Sequence, residues 1–386
     1  MRHFAYLADE ERERLFHVPP QSFTRADDPA LLSTALGASL YSPGTRPSLA
    51  GDLLRRAADG VVSAVVCLED AVPDEQVAEA ERNVVRQLSE LAATGADGPL
   101  VFVRVRSPEQ IADVVSGLGQ HVAVLSGFVL PKFTARTGRA FLRAVQEASR
   151  ATGHRLFAMP VLESPELIHR ETRVEALIDA KRLLDAHRDQ VLAVRLGTTD
   201  LSSAYGIRRD RDLTIYDVGV VAEAIADVVN VFGRADGSGY VVTGPVWEYF
   251  ADHERIFKPL LRQSPFAAQD AMDLREQLIT QHVDGLIREL VLDKANGLLG
   301  KTVIHPSHVP VVHALSVVTH EEFVDATDVL GAERAGGGVA ASSYRNKMNE
   351  AKPHRAWAQR TLRRAQAFGV AAEGIRLVDL LAAGVE

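Results

Sequence analysis

Three apolar runs of this chain end on acids. VVSAVVCLED closes on Glu69 and Asp70, RLFAMPVLES reaches Glu163 at its end, and VLAVRLGTTD stops at Asp200. One carboxylate at the end of a buried run is ordinary; three such runs point to a shared site. Mg²⁺ takes oxygen donors, commonly one or two carboxylates completed by water and substrate oxygens, and Glu163 and Asp200 suit that role. A cysteine-based zinc cluster is excluded, because Cys67 is the single cysteine. Cations arrive at run ends in the same way. Arg104 and Arg106 in PLVFVRVR fall on one face by period-two alternation, Lys132 ends SGFVLPKF, and Arg46 follows the first run in SPGTRP. Planar guanidinium groups match carboxylates bidentately, so this set predicts an anionic substrate. Competing roles exist. Asp70 can equally cap the helix starting in AVPDEQVAEAERNV, and Lys132 and His305 (in GKTVIHPS) are as readily structural as functional. Glu163 is spared capping duty by Ser164, which has Pro165 just inside the next helix.

The elements that must position these residues alternate. Short runs with β-branched content (37–43, 61–70, 99–106, 126–133, 155–164, 191–200, 239–245 and 300–307) have the length of buried parallel strands. Between them lie amphipathic stretches such as GRAFLRAVQEASRAT and VGVVAEAIADVVNVF, with apolar residues at helical spacing. Eight strand–helix units predict a TIM (β/α)₈ barrel, whose active site gathers at the C-terminal strand ends. An open doubly wound sheet is the alternative, disfavoured because no Gly-rich dinucleotide fingerprint follows the first strand. ANGLLGKTV imitates a phosphate loop, but its GKT leads into the apolar run VIHP rather than a helix. FAAQDAMDLREQLITQHVDGLIRELVLDK reads as one or two helices, HVPVVHALSVVTHEEFVDATDVL as the closing helical layer, and ERAGGG as a flexible break. We therefore expect a catalytic barrel over 1–322 and a helical extension over 323–386.

Composition sets outer limits. The 386 residues are 46% hydrophobic and 24% charged, the proportions of an ordinary soluble globular protein. A formal net charge of −8 without a basic block argues against nucleic acid. No apolar run approaches the ~20 residues of a membrane span, and the absence of disulfide partners for Cys67 fits a reducing cytoplasm.

In order along the chain, SPGTRP, CLEDAV, VFVRVR, LPKF, VLESPE, LGTTDLS and GKTVIHPSHV resemble the citrate lyase beta-subunit family, within the wider HpcH/HpaI aldolase and malate synthase group. The resemblance runs from about Leu40 to about Val370. It implies that Glu163 and Asp200 bind Mg²⁺ (Mn²⁺ as the substitute) and that Arg46 and Arg104 hold the carboxylate and carbonyl oxygens of the substrate. Glu69 and Asp70 would support the metal's waters and the arginines, and His305 would be structural or stand behind the ligands. Family members carry a Met-Ile-Asp type motif before a final helix, whose acid serves as acid/base and reaches a neighbouring subunit. Here the matching run is YRNKMNEAKPH and the acid is Glu350, one methylene longer. The resemblance thus also implies a homo-oligomer, a trimer or a multiple of one, and a coenzyme A thioester as a possible co-substrate. Arg106, where relatives often have Asn, and VVTGPVWEYF depart from the pattern. They look like a divergent branch found with tellurium-resistance genes.

The expected chemistry is a Mg²⁺-dependent carbon–carbon lyase, or its reverse condensation, acting on a 2-oxo or 3-hydroxy acid or its thioester through an enolate. Lys132 joins the arginines in binding the anion, and Glu350, Asp70 and Glu69 form the acid/base set. A class II pyruvate aldolase of the HpcH type is the first alternative, weakened because SPGTRPSLAGDLL contains no histidine. A non-catalytic barrel serving as a binding or scaffold protein is the second.

Overall fold

The computed structural model describes residues 1–250, 283–334 and 336–383. Eight parallel strands close into a barrel: β1 (Ala38–Pro43), β2 (Ser63–Cys67), β3 (Leu100–Arg104), β4 (Leu125–Leu130), β5 (Phe157–Leu162), β6 (Val194–Leu196), β7 (Val242–Trp247) and β8 (Lys301–Val303). Each bonds to its successor, and β8 returns to β1 with Ser39 opposite Thr302. Strands such as SAVVC and FAMPVL are buried along their whole length, as strands covered on both faces must be. Alternation divides each strand. In β2, Ala64 and Val66 join the core under the helices, while Val65 joins the cluster inside the barrel with Phe102, Met159 and Val161.

The outer layer consists of α1 (Leu49–Ala58), α2 (Val77–Ala93), α3 (Pro108–Leu118), α4 (Ala135–Thr152), α5 (Arg170–Asp185), α6 (Gly219–Phe232), α7 (Asp284–Ala295) and α8 (His308–Ser316). In α4, Phe141, Leu142, Val145 and Ala148 form the buried stripe; Thr134 caps it by accepting from the Thr137 N–H, and Gly153 ends it in the left-handed region. The helical reading of 266–294 is met by α7 at its C-terminal end; its earlier part lies outside the described residues. The false phosphate loop is a strand: Lys301 begins β8 and points outward into a buried ion cluster, where its Nζ bonds Glu289 Oε1 (2.6 Å) and Asp293 Oδ2 (2.7 Å) of α7.

Two further helices, α9 (His320–Arg334) and α10 (Ala351–Phe368), pack together through Ala326, Val329 and Ala358. α9 runs across the boundary expected at 322/323. The described glycines of the expected break form a turn. Gly336, Gly337 and Gly338 all have positive φ, open to glycine without a Cβ penalty. They lead into a hairpin of β9 (Val339–Ala341) and β10 (Met348–Glu350). The end of α10 plugs the barrel floor: Ala367 and Phe368 pack with Val62, Leu100, Phe157 and Leu192 at the strand starts. Beyond it, Val370–Ala371 pairs antiparallel with Phe16–Val18, and His3 stacks on Phe368 at 4.2 Å. The extension thus closes the face opposite the strand ends. Among the described residues no helix is long and apolar enough to cross a membrane.

Candidate active site

Six of the expected site residues converge where β2 to β6 end. Glu69 and Asp70 follow β2, Arg104 is the last residue of β3, Lys132 and Glu163 follow β4 and β5, and Asp200 stands in the first turn of the short helix Thr198–Ser203 after β6. Arg104 is their hub. One terminal nitrogen lies 2.7 Å from Glu69 Oε2, 3.0 Å from Glu163 Oε1 and 3.2 Å from Asp70 Oδ2. Lys132 is the second cation. Its N–H donates to Glu163 Oε1 (2.9 Å), and its Nζ donates to Glu69 Oε1 (2.5 Å) and Asp70 Oδ1 (3.3 Å), standing 3.9 Å from Asp200 Oδ1.

Asp70 does not cap a helix. The next helical turns start after Pro73 and Gln76, and the Asp70 carboxylate is taken by Arg104 and Lys132. Ser164 does occupy the cap position before Pro165–Ile168, so Glu163 is left for the site. Gly197, the residue after β6, makes room for it: a Cβ there would fall 2.1 Å from Glu163 Oε2 and 2.5 Å from Glu163 Cβ. Gly197→Ala should therefore push the carboxylate aside. Overpacking of this kind typically costs ~1–3 kcal/mol, so we expect divalent-metal affinity to fall about tenfold while far-UV circular dichroism is unchanged. Titration calorimetry on the variant checks this.

The electrostatics divide the acids. Burial pushes the Glu163 carboxyl up to about 7, opposed by Arg104 and reinforced by the neighbouring Asp200 charge. Burial and the hydrogen bond with Asp70 raise Glu69 as well. Burial also acts on Asp70, but the bond from Glu69, with Arg104 and Lys132, outweighs it and holds Asp70 low. Adjacent acids shifted apart in this way can serve as proton donor and acceptor.

Four carboxylates thus face two cations, and with all four ionised a divalent ion would balance the charge. Among the described residues no three His, Cys, Asp or Glu side chains form a ready ligand cluster. The donors left over are a pair: Glu163 Oε2 and the Asp200 carboxylate accept no hydrogen bond among the described residues, and both residues line a cavity of about 350 Å³ with Arg136 and Ser203. Two carboxylates plus open space suit Mg²⁺, which keeps waters and substrate oxygens in its shell. A second cavity of about 280 Å³ adjoins it, between Glu69, Arg106, Lys132 and Phe141.

Among the described residues, Arg46, His305 and Glu350 make no hydrogen bond or ion pair with these six. Arg46 is half-exposed and its Nε donates to Asp52 Oδ2 at 2.7 Å. His305 bonds Ser307 Oγ (2.7 Å) and stacks on Phe250 at 4.9 Å. Glu350 is exposed at the end of β10, its N–H donating to His354 Nδ1 (3.0 Å), and within one chain the fold does not bring it to the cluster. Arg106 has a role the pattern did not suggest. It donates to the carbonyls of Leu68 (2.8 Å), Glu69 (3.1 Å) and Val72, and so pins the loop that carries the acidic pair. Backbone acceptors leave no signature in a residue string; the arginine in place of the usual Asn was the single hint.

A citrate lyase from Burkholderia xenovorans LB400 superposes with a TM-score of 0.61 at 17% identity, over 91% of this chain and 96% of that one. The CitE protein of Mycobacterium tuberculosis, solved with magnesium, acetoacetate and coenzyme A, gives 0.52 at 20% identity, over 86% and 99%. At such identities the likeness speaks for the barrel. No curated protein sequence matches the chain. The model of a family described as C-C bond lyase of the TIM-barrel fold matches residues 30–370, nearly the whole chain. The chain belongs to that C-C bond lyase family and is a carbon–carbon lyase.

Proposed function

We propose that this protein is a Mg²⁺-dependent lyase, or the reverse condensing enzyme, for a 2-oxo or 3-hydroxy acid or its acyl thioester. The observation that carries this reading is the cluster of four carboxylates and two cations at the strand ends, with Glu163 and Asp200 both lining a cavity. Those two residues would hold the ion, and manganese would serve in its place. When bound, the metal would supply Lewis-acid stabilisation of enolate charge.

The chain's own groups do the rest. Arg104 orders three of the acids through one terminal nitrogen, and its fixed charge stands at the strand ends where a substrate oxygen would bind. A fixed donor aimed at developing charge in a water-poor site is typically worth ~3 kcal/mol of barrier. In the cleavage direction Asp70, held ionised, takes the hydroxyl proton of a 3-hydroxy acid. The carbon–carbon bond then breaks, its electron pair passing to the enolate as the hydroxyl carbon becomes a carbonyl. A proton delivered to the enolate carbon completes the reaction. Glu69, whose carboxyl is raised, is one source; Glu350 of a second copy is the other, in a trimer or a multiple of it. Coenzyme A, which the Mycobacterium protein binds, is the carrier for the thioester version. The barrel over 1–322 then carries the site, and the extension over 323–386 carries Glu350.

The test is calorimetry with Mg²⁺, oxaloacetate and pyruvate, paired with NMR detection of cleavage products. We expect Mg²⁺ to bind and an oxo acid to bind only when Mg²⁺ is present. Oxo-acid binding that ignores the metal, or no metal binding at all, removes this reading.

A further inference from the structure

Lys132 touches every acid of the site: Glu163 through its N–H (2.9 Å), and Glu69, Asp70 and Asp200 through Nζ (2.5, 3.3 and 3.9 Å). Its backbone is strained, with φ at +46°, a region that residues with a Cβ seldom occupy. The strained turn anchors the main chain on Glu163 while the side chain reaches back across the barrel mouth to the acidic pair. The two cations differ in freedom. The Arg104 side chain is 13% exposed and locked among acids, whereas that of Lys132 is 49% exposed and borders both cavities. Ion pairs made by a half-exposed ammonium are weak and break at small cost.

We propose that Lys132 is a resident counter-ion: its ammonium neutralises the site's carboxylates until a divalent cation arrives, then moves into the adjoining cavity and binds the anionic group of the substrate. The inference rests on the metal-site reading above and adds to it an order of binding, metal before anion. A positive charge within about 4 Å of the donor oxygens opposes a dication by direct repulsion. With the ion in place the same repulsion expels the ammonium, and an anion lying between the two relieves it.

Calorimetry and thermal melts of Lys132→Met, Lys132→Gln and Lys132→Arg test the idea. Both uncharged variants should bind Mg²⁺ at least about tenfold more tightly than wild type. Metal-free, in EDTA, they should melt at lower temperature, and Mg²⁺ should restore the loss. Oxaloacetate binding to the Mg²⁺-loaded uncharged variants should weaken at least about tenfold, and Lys132→Arg should return both affinities toward wild type. Lys132→Gln serves if the methionine variant fails to fold. Unchanged or weaker Mg²⁺ affinity in the uncharged variants overturns the proposal, as does tighter Mg²⁺ binding with oxaloacetate affinity unchanged. Wild type without Mg²⁺ affinity sinks the magnesium reading itself. The counter-ion role would then survive only if the uncharged variants gained that affinity, and would fall if they did not.

Discussion

Glu163→Gln should abolish Mg²⁺ binding and activity without harming the fold. Glutamine keeps the volume, and its amide oxygen can still accept from Arg104 and the Lys132 N–H, as Glu163 Oε1 does now. The amide nitrogen then stands where Oε2 stood and presents hydrogens to the metal position. We expect Mg²⁺ affinity to drop at least about 100-fold, and kcat by about 10²–10³, the usual cost of removing one principal electrostatic stabiliser. Stability should move the other way. Burial already pushes this carboxyl up to about 7, so replacing it by a neutral group relieves a desolvation cost. The melting temperature of the metal-free variant should equal or exceed that of wild type. Asp200→Ala should lose the metal with its fold likewise intact. A Glu163 that serves only the fold would show the reverse: lowered melting temperature and unchanged Mg²⁺ affinity.

The second large effect is on stability. Lys301 is completely buried between Glu289 and Asp293, and Tyr216 donates its hydroxyl to Asp293 Oδ1 (2.8 Å). Arg209, which lies 4.8 Å over the Trp247 ring, and the Ile215 N–H (2.7 Å) complete the shell around Glu289. Lys301→Met retains most of the volume but strands the acids. Removing one partner of a buried pair typically costs ~3–5 kcal/mol, and we expect a loss of that order in urea unfolding. The sign of the pH dependence follows from Asp293. Burial lifts its carboxyl to about 6 even with Lys301 present, above its value in the unfolded chain, so the folded state holds the proton more tightly and gains stability as pH falls toward the unfolded value. Without Lys301 that lift grows. The deficit of Lys301→Met relative to wild type should therefore be largest near pH 7 and shrink toward pH 5. A deficit independent of pH would show that lost packing, and not stranded charge, is the cause.

Strand ends were the most legible part of this chain. Apolar runs closing on Glu69, Asp70, Glu163 and Asp200 mark both the barrel and its candidate site, because an unpaired charge is costly within a buried strand and cheaper where the strand emerges. Arg104 and Lys132 were legible for the same reason. The rest depends on three-dimensional accidents that a residue string does not carry. Arg46 bonds Asp52, six residues further on, a pairing that spacing alone does not mark. Arg106 bonds to main-chain carbonyls, which every residue has. Lys301 sits in a motif-like GKT that pattern reading could reject but not explain, since its partners lie on the preceding helix. The glycines of ERAGGG supply conformational freedom, and freedom alone does not distinguish a tight turn from a loose linker.

The pairing of Phe16–Val18 with Val370–Ala371 bears on how the molecule can be made. Synthesis runs from the N-terminus, so the first of these segments emerges from the ribosome more than 350 residues before its partner. Every barrel strand is exposed before the floor is sealed by Phe368. Closure of such a long loop is expected late in folding. A ribosome stalled before residue 370 would hold a barrel with an open base, and truncating the extension would unpair the N-terminal arm as well as remove Glu350.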